Sequence, residues 1–122
     1  MPQRILVVED DRDLRETIVD VLAGAGYEVS LAGNGEEALD ALRTKRRTSL
    51  ILLDLRMPVM DGFEFRRRQL ANPGFASVPV VLLSSDSRGD RQADEFGFAC
   101  SIKKPFGIRD LLALVRRYCG EH

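Results

Sequence analysis

Apolar residues along this chain change their period in a regular way. Ile5-Leu6-Val7-Val8 is an unbroken run rich in β-branched residues, the pattern of a strand covered on both faces. Leu14, Ile18, Val21 and Leu22 follow at helical spacing and stop at Gly24-Ala25-Gly26, where glycine can end a helix. Tyr27 to Leu31 alternates weakly as a second strand, and after Asn34-Gly35 the pairs Ala38-Leu39 and Ala41-Leu42 mark a second amphipathic helix. Leu50-Ile51-Leu52-Leu53 predicts a third buried strand that ends at Asp54. Pro58 and Gly62 bracket a loop, Phe63, Phe65 and Leu70 mark a helix, and Asn72-Pro73-Gly74 breaks it. Val78 to Leu83 predicts a fourth strand, with Pro79 tolerated near its start. Ser85 to Glu95 is polar enough for only a short helix, Cys100 to Lys103 is the weakest strand, and Leu111 to Tyr118 carries the last helix.

Strand and helix thus alternate five times, which implies an α/β fold with a parallel sheet and helices on both faces. Right-handed crossovers narrow this to a doubly wound sheet. In such sheets the functional crevice lies at the carboxyl ends of the strands. Those ends are Glu9-Asp10-Asp11, Asp54, Ser84-Ser85 and Lys104-Pro105.

Composition bounds the rest. The 122 residues, 44% hydrophobic and 30% charged, suit one soluble domain over residues 1–122, with no output domain expected beside it. No apolar run reaches the ~18 residues of a membrane span, and no signal-peptide pattern opens the chain. A net charge of -1 argues against direct nucleic-acid binding. Residues 1–61 hold twelve acids against eight bases, and residues 62–122 seven against ten. The basic clusters Arg46-Arg47 and Arg66-Arg67-Arg68 read as solvated helix faces and ends. Cys100 and Cys119 lack metal-ligand spacing, and His122 is the only histidine, so no zinc site is expected. The thiols read as reduced in a cytoplasmic protein, with a Cys100–Cys119 disulfide the minor alternative.

Like-charged carboxylates gathered in one crevice repel unless a cation joins them, and all-oxygen ligation by few side chains suits Mg²⁺. Lys104 adds a positive charge and Ser84 a hydrogen-bond donor, both suited to phosphoryl oxygens. An aspartate in that setting can act as a nucleophile and form an acyl phosphate. Taken singly the signals are bland. Asp11 or Asp13 suits a helix N-cap, a lone serine a turn and a lone lysine a solvated charge. Their coincidence at four strand ends favours Mg²⁺-assisted phosphorylation of an aspartate.

Four segments, in order and spacing, resemble the response-regulator receiver domains of two-component signalling, CheY-like in fold. They are Ile5 to Asp11, Leu52 to Pro58 with Met60-Asp61-Gly62, Pro79 to Ser84, and Lys103-Lys104-Pro105-Phe106. The resemblance implies a flavodoxin-like (βα)5 sheet in strand order 2-1-3-4-5. It implies that Asp54 is the phosphoacceptor, that Asp10 binds Mg²⁺ directly and Glu9 through water, and that the Arg56 carbonyl is a further ligand. Ser84 takes the place of the switch hydroxyl and Lys104 that of the phosphate-binding lysine, ahead of a cis Lys104-Pro105 bond. The implied donor is a phosphohistidine on a histidine kinase or phosphotransfer protein. The chain would assist its own phosphorylation and dephosphorylation without being a metabolic enzyme. It would signal to a protein target as a monomer or weak dimer, acting as a single-domain switch or relay.

The chain departs from that pattern in places. Ser101 stands where an aromatic switch residue is usual, so relay through backbone movement of the loop after the fourth strand is expected. Twenty residues separate Ser84 from Lys104 where about 22 are expected, which favours a short fourth helix. Ala99 and Cys100 replace an acidic pair associated with dimerising, DNA-binding regulators. Arg56 and Asp86 flank the site, and their pairing would slow hydrolysis of the acyl phosphate. The alternatives are a pseudo-receiver whose binding ignores phosphate, and a receiver excised from a hybrid kinase or transcription regulator.

Overall fold

A computed structural model describes residues 3–44, 47–54, 60–85 and 89–119. Five strands and five helices alternate along them. They are β1 (Arg4–Val8), α1 (Arg12–Gly24), β2 (Glu28–Ala32), α2 (Gly35–Leu42), β3 (Leu50–Asp54), α3 (Gly62–Leu70), β4 (Val80–Ser84), α4 (Gly89–Phe96), β5 (Cys100–Lys103) and α5 (Ile108–Cys119). The strands form one sheet in the order β2-β1-β3-β4-β5, and every neighbouring pair is parallel. This is the doubly wound sheet that the alternation predicts, in the flavodoxin-like strand order that the resemblance implies.

Apart from Arg4 at the start of β1, the central strands β1, β3 and β4 are buried along their length because their side chains feed two cores. Leu6, Val8, Ile51, Leu53, Val80 and Leu82 point to the side covered by α2, α3 and α4, where Leu39, Phe65 and Ala93 meet them. Ile5, Val7, Leu50, Leu52, Val81 and Leu83 point to the side of α1 and α5, against Ile18, Leu22, Leu111 and Val115. The period of two is therefore present, but hidden in sequence because both faces are apolar. Full burial of one such side chain stabilises the fold by about 1.5–3 kcal/mol.

Helix starts follow local chemistry. Asp11 caps α1 by accepting from the Leu14 amide, Asn34 caps α2 by accepting from Glu37, and Asp61 caps α3 by accepting from Glu64. The fourth strand begins at Val80 rather than Val78. Pro79 has no amide hydrogen for the ladder, although its carbonyl still accepts from the Ile51 amide at 3.0 Å. The fourth helix is short, at eight residues, and the Lys104-Pro105 bond is cis.

One expectation is overturned. Arg67 and Arg68 are solvated and pair with Glu64, but Arg66 beside them is buried, 8% exposed. It turns inward because Gln69 and two backbone carbonyls satisfy its guanidinium there. Arg46, Arg56, Pro58, Asp86 and His122 lie outside the described residues.

Candidate functional site

Strand parity decides which side chains converge. Val8 of β1 is level with Leu53 of β3, so the next residues, Glu9 and Asp54, stand side by side at the carboxyl edge of the sheet. Asp54 shares its side of β3 with Leu50 and Leu52, and Glu9 continues the side of Ile5 and Val7. Lys104, one step past β5, continues the side of Cys100 and Ile102. All three thus reach toward the α1/α5 face. Ser84 follows Val80 and Leu82 instead, toward the face of α2, α3 and α4.

The backbone fixes these positions. The Glu9 amide donates to the Ala32 carbonyl at 3.1 Å, and the Lys104 amide donates to the Ser84 carbonyl at 2.6 Å. Glu9, Asp54 and Ser84 are buried, at 1%, 8% and 6% exposure, while Asp10 is exposed at the rim. Lys104 Nζ lies 3.0 and 3.2 Å from the two Glu9 carboxylate oxygens and 3.4 Å from Asp54 Oδ2. One carboxylate oxygen from each of Glu9, Asp10 and Asp54 lies within 4.8 Å of the others.

Glu9 and Asp54 both face the Lys104 ammonium, and the gathering of acids shows in the titration of Glu9 and Lys104. Burial pushes the Glu9 carboxyl up to about 7; the hydrogen bond from Lys104 opposes this, and the Asp54 charge adds to it. Burial alone would lower the Lys104 pKa, but the Glu9 hydrogen bond and the two carboxylate charges outweigh it and hold it above the ordinary lysine value. The lysine gains from two anions, which share it. Among the described residues the cluster gathers three carboxylates near Lys104, and its donors are hard oxygens open to solvent on the Asp10 side. Such a donor set fits Mg²⁺, which accepts one or two carboxylates and retains water.

The model of the response regulator receiver domain family matches residues 5–116. This chain belongs to that family. The receiver is 42% identical over 117 residues to the response regulator MprA of Mycolicibacterium vanbaalenii, a match covering 95% of this chain and 50% of MprA. It is 41% identical over 118 residues to the DNA-binding response regulator MtrA of Mycobacterium tuberculosis, covering 95% of this chain and 50% of MtrA. The chain therefore spans about half the length of the curated relatives it matches. Among solved structures, the receiver domain of the sensor histidine kinase PA1611 from Pseudomonas aeruginosa superimposes with a TM-score of 0.88. It is 31% identical, the match covers 99% of this chain and all of that one, and that protein has a magnesium ion coordinated in its active-site cleft.

The structure brings together Glu9, Asp10, Asp54 and Lys104 of the residues singled out in sequence, with Ser84 adjoining them at the end of β4. The Arg56 carbonyl and the Arg56–Asp86 pair fall outside the described residues. Sequence reasoning missed the close approach that seats the far end of the β3–α3 connection. The Gly35 amide donates to the Met60 carbonyl at 3.3 Å, and a Cβ at Gly35 would stand 2.8 Å from the Met60 side chain. Asn34-Gly35 was the available signal, because a glycine opening a helix marks a place where something passes close.

Proposed function

We propose that this receiver accepts a phosphoryl group on Asp54 from a phosphohistidine of a histidine kinase or histidine phosphotransfer protein. One observation carries the reading. The buried Asp54 carboxylate sits at a strand end beside two further carboxylates, with the Lys104 ammonium 3.4 Å away. An Asp54 oxygen attacks phosphorus, the N–P bond of the donor breaks, and its electron pair stays on the imidazole nitrogen. Lys104 offers its positive charge to the incoming phosphoryl oxygens, and the Ser84 hydroxyl, at the end of the neighbouring strand, would donate to one of them. Glu9, Asp10 and Asp54, with the Arg56 carbonyl, are the groups that would hold Mg²⁺. When bound, the ion neutralises the charge gathered on the carboxylates and the phosphoryl oxygens. Water later attacks phosphorus, releasing inorganic phosphate and restoring the Asp54 carboxylate.

The added charge draws Ser84 and Lys104 toward Asp54, and the change is read by a protein partner at the surface. Among the described residues no helix is long and apolar enough to cross a membrane. Both cysteines are free, which accords with the cytoplasm, where phosphohistidine donors of this class are met. Since MprA and MtrA are about twice the matched length, a receiver working beside an attached output domain is the second reading.

Incubation with acetyl phosphate and Mg²⁺ tests the chemistry. The intact protein should gain the mass of one phosphoryl group, and Asp54→Asn should gain none. No gain in the wild type would leave a binding module indifferent to phosphate.

A further inference from the structure

Helix α4 is short, and its C-terminus closes at Gly97, where the Phe98 amide donates to the Ala93 carbonyl at 2.8 Å. It is eight residues long, begins at a glycine and carries no basic residue in its last turn. Its Ala93 is buried and Phe96 is partly so. The last carbonyls of a helix lack partners within it and carry partial negative charge. Here a different helix supplies the partner. Arg66 of α3 donates from Nε to the Phe96 carbonyl at 3.1 Å and from Nη2 to the Gly97 carbonyl at 2.7 Å. Its third arm, Nη1, donates to Gln69 Oε1 at 2.8 Å, and its guanidinium carbon lies 5.4 Å from the centre of the Phe98 ring. Gln69, fully buried, passes the link on by donating to the Phe75 and Val78 carbonyls, both at 3.1 Å. Phe63 of α3 stacks at a tilt on Phe96, with ring centres 4.4 Å apart.

A guanidinium taken out of water is costly unless every arm is met, and here all three nitrogens have acceptors. The fork therefore specifies one placement of the α4 C-terminus against α3. The other end of α4 follows Ser84 in the chain, and Ser84 continues the side of Val80 and Leu82, toward the α3/α4 face. We infer that Arg66 is a positioning residue of the switch, a clamp that pins Phe96 and Gly97 to α3. A displacement begun at Ser84 then turns α4 about that end instead of sliding the whole helix. The inference rests on Asp54 being the phosphorylated residue.

Residue-resolved amide exchange, with and without beryllofluoride and Mg²⁺ as the phosphoryl mimic, tests it in the full chain. In the wild type the mimic should change exchange at Arg91 to Ala93 at least about threefold more than at Gly97 and Phe98. In Arg66→Leu the free protein should exchange about tenfold faster at Gly97 and Phe98, the worth of one lost charged hydrogen bond, and the gradient along α4 should vanish. Arg66→Lys keeps the charge but not the fork, so it should also lose the gradient, and it serves if Arg66→Leu does not fold. A uniform or absent response along α4 in the wild type, with a clear response at Asp54, overturns the clamp alone. The same gradient in a variant as in the wild type overturns it too. No response at Asp54 overturns both the clamp and the phosphorylation reading beneath it.

Discussion

Replacing Glu9 by glutamine should make the metal-free protein more stable at neutral pH and flatten its pH dependence between about 4.5 and about 7. In the folded state burial raises the Glu9 carboxyl from 4.5 to about 7. A carboxyl whose folded pKa lies above its unfolded value favours folding while protonated. That contribution is complete below about pH 4.5 and is lost as the pH rises through about 7. At 1.36 kcal/mol per pKa unit the loss has a ceiling of about 3 kcal/mol. Glutamine keeps an oxygen for Lys104 to bond but removes the charge. The value of about 7 already includes the opposing pull of Lys104, which in the variant retains Asp54 at 3.4 Å. A net stabilisation of up to about 3 kcal/mol is therefore expected at pH 7.5, shrinking to nothing below pH 4.5.

Urea denaturation in chelator-containing buffer at several pH values between 4.5 and 8 measures this directly, because the difference between the two proteins cancels the titrating groups that do not interact with Glu9. Adding Mg²⁺ at pH 7.5 should stabilise the wild type more than the variant, since an ion bound only by the folded state contributes by mass action. Stability curves that run parallel from pH 4.5 to 8 would refute the argument. They would mean that Lys104 compensates the buried carboxylate fully.

Two further substitutions probe the supports of the site. Gly35→Ala places a Cβ 2.8 Å from the Met60 side chain; the helix-propensity gain of up to ~1 kcal/mol should be outweighed by overpacking of about 1–3 kcal/mol. Thermal unfolding should show a lower midpoint, and a raised one would sink the claim. Gln69→Leu removes acceptor and donors together, stranding the Phe75 and Val78 carbonyls and one Arg66 arm. At about 1–3 kcal/mol per stranded buried group, a loss of roughly 3 kcal/mol or more is expected by chemical denaturation. A neutral result would show that water replaces the amide.

The order of elements was legible because each strand is a short apolar run and each helix a spaced one, with polar or glycine-bearing breaks between them. The edges were less so. Pro79 shifts the start of β4, since an apolar side chain says nothing about whether its amide can enter a ladder. The acids, the hydroxyl and the lysine were found because strand ends in this topology converge, and Leu53 to Asp54 marks such an end without ambiguity. Contact between Lys104 and Glu9 was not readable, because it depends on side-chain parity across strands 95 residues apart. Arg66 was misread for a related reason. Within Arg66-Arg67-Arg68 the three side chains fan around the helix, and only the first falls near the buried face set by Phe65 and Gln69. A glutamine four residues after a core phenylalanine was the trace that a polar group lies inside.

Parity also separates the chemistry of the site from its readout. Glu9, Asp54 and Lys104 reach toward the α1/α5 side, so charge is gathered and balanced there. Ser84 reaches toward the opposite side, where Phe98 and Ala93 fill the core. Ser101, paired with Leu82 in the sheet, lies on that same side and offers a small side chain where a ring would couple two positions by its own swing. Under the proposed phosphorylation of Asp54, a signal crossing the sheet would have the backbone at the end of β4 as its carrier. Of α2, α3 and α4 on that face, α3 and α4 adjoin β4 in the chain and are the ones that would register it. Since Arg66 fastens one of these to the other, the surface that changes is a joint one. A substitution on exposed α3 should then alter partner recognition as readily as one on α4.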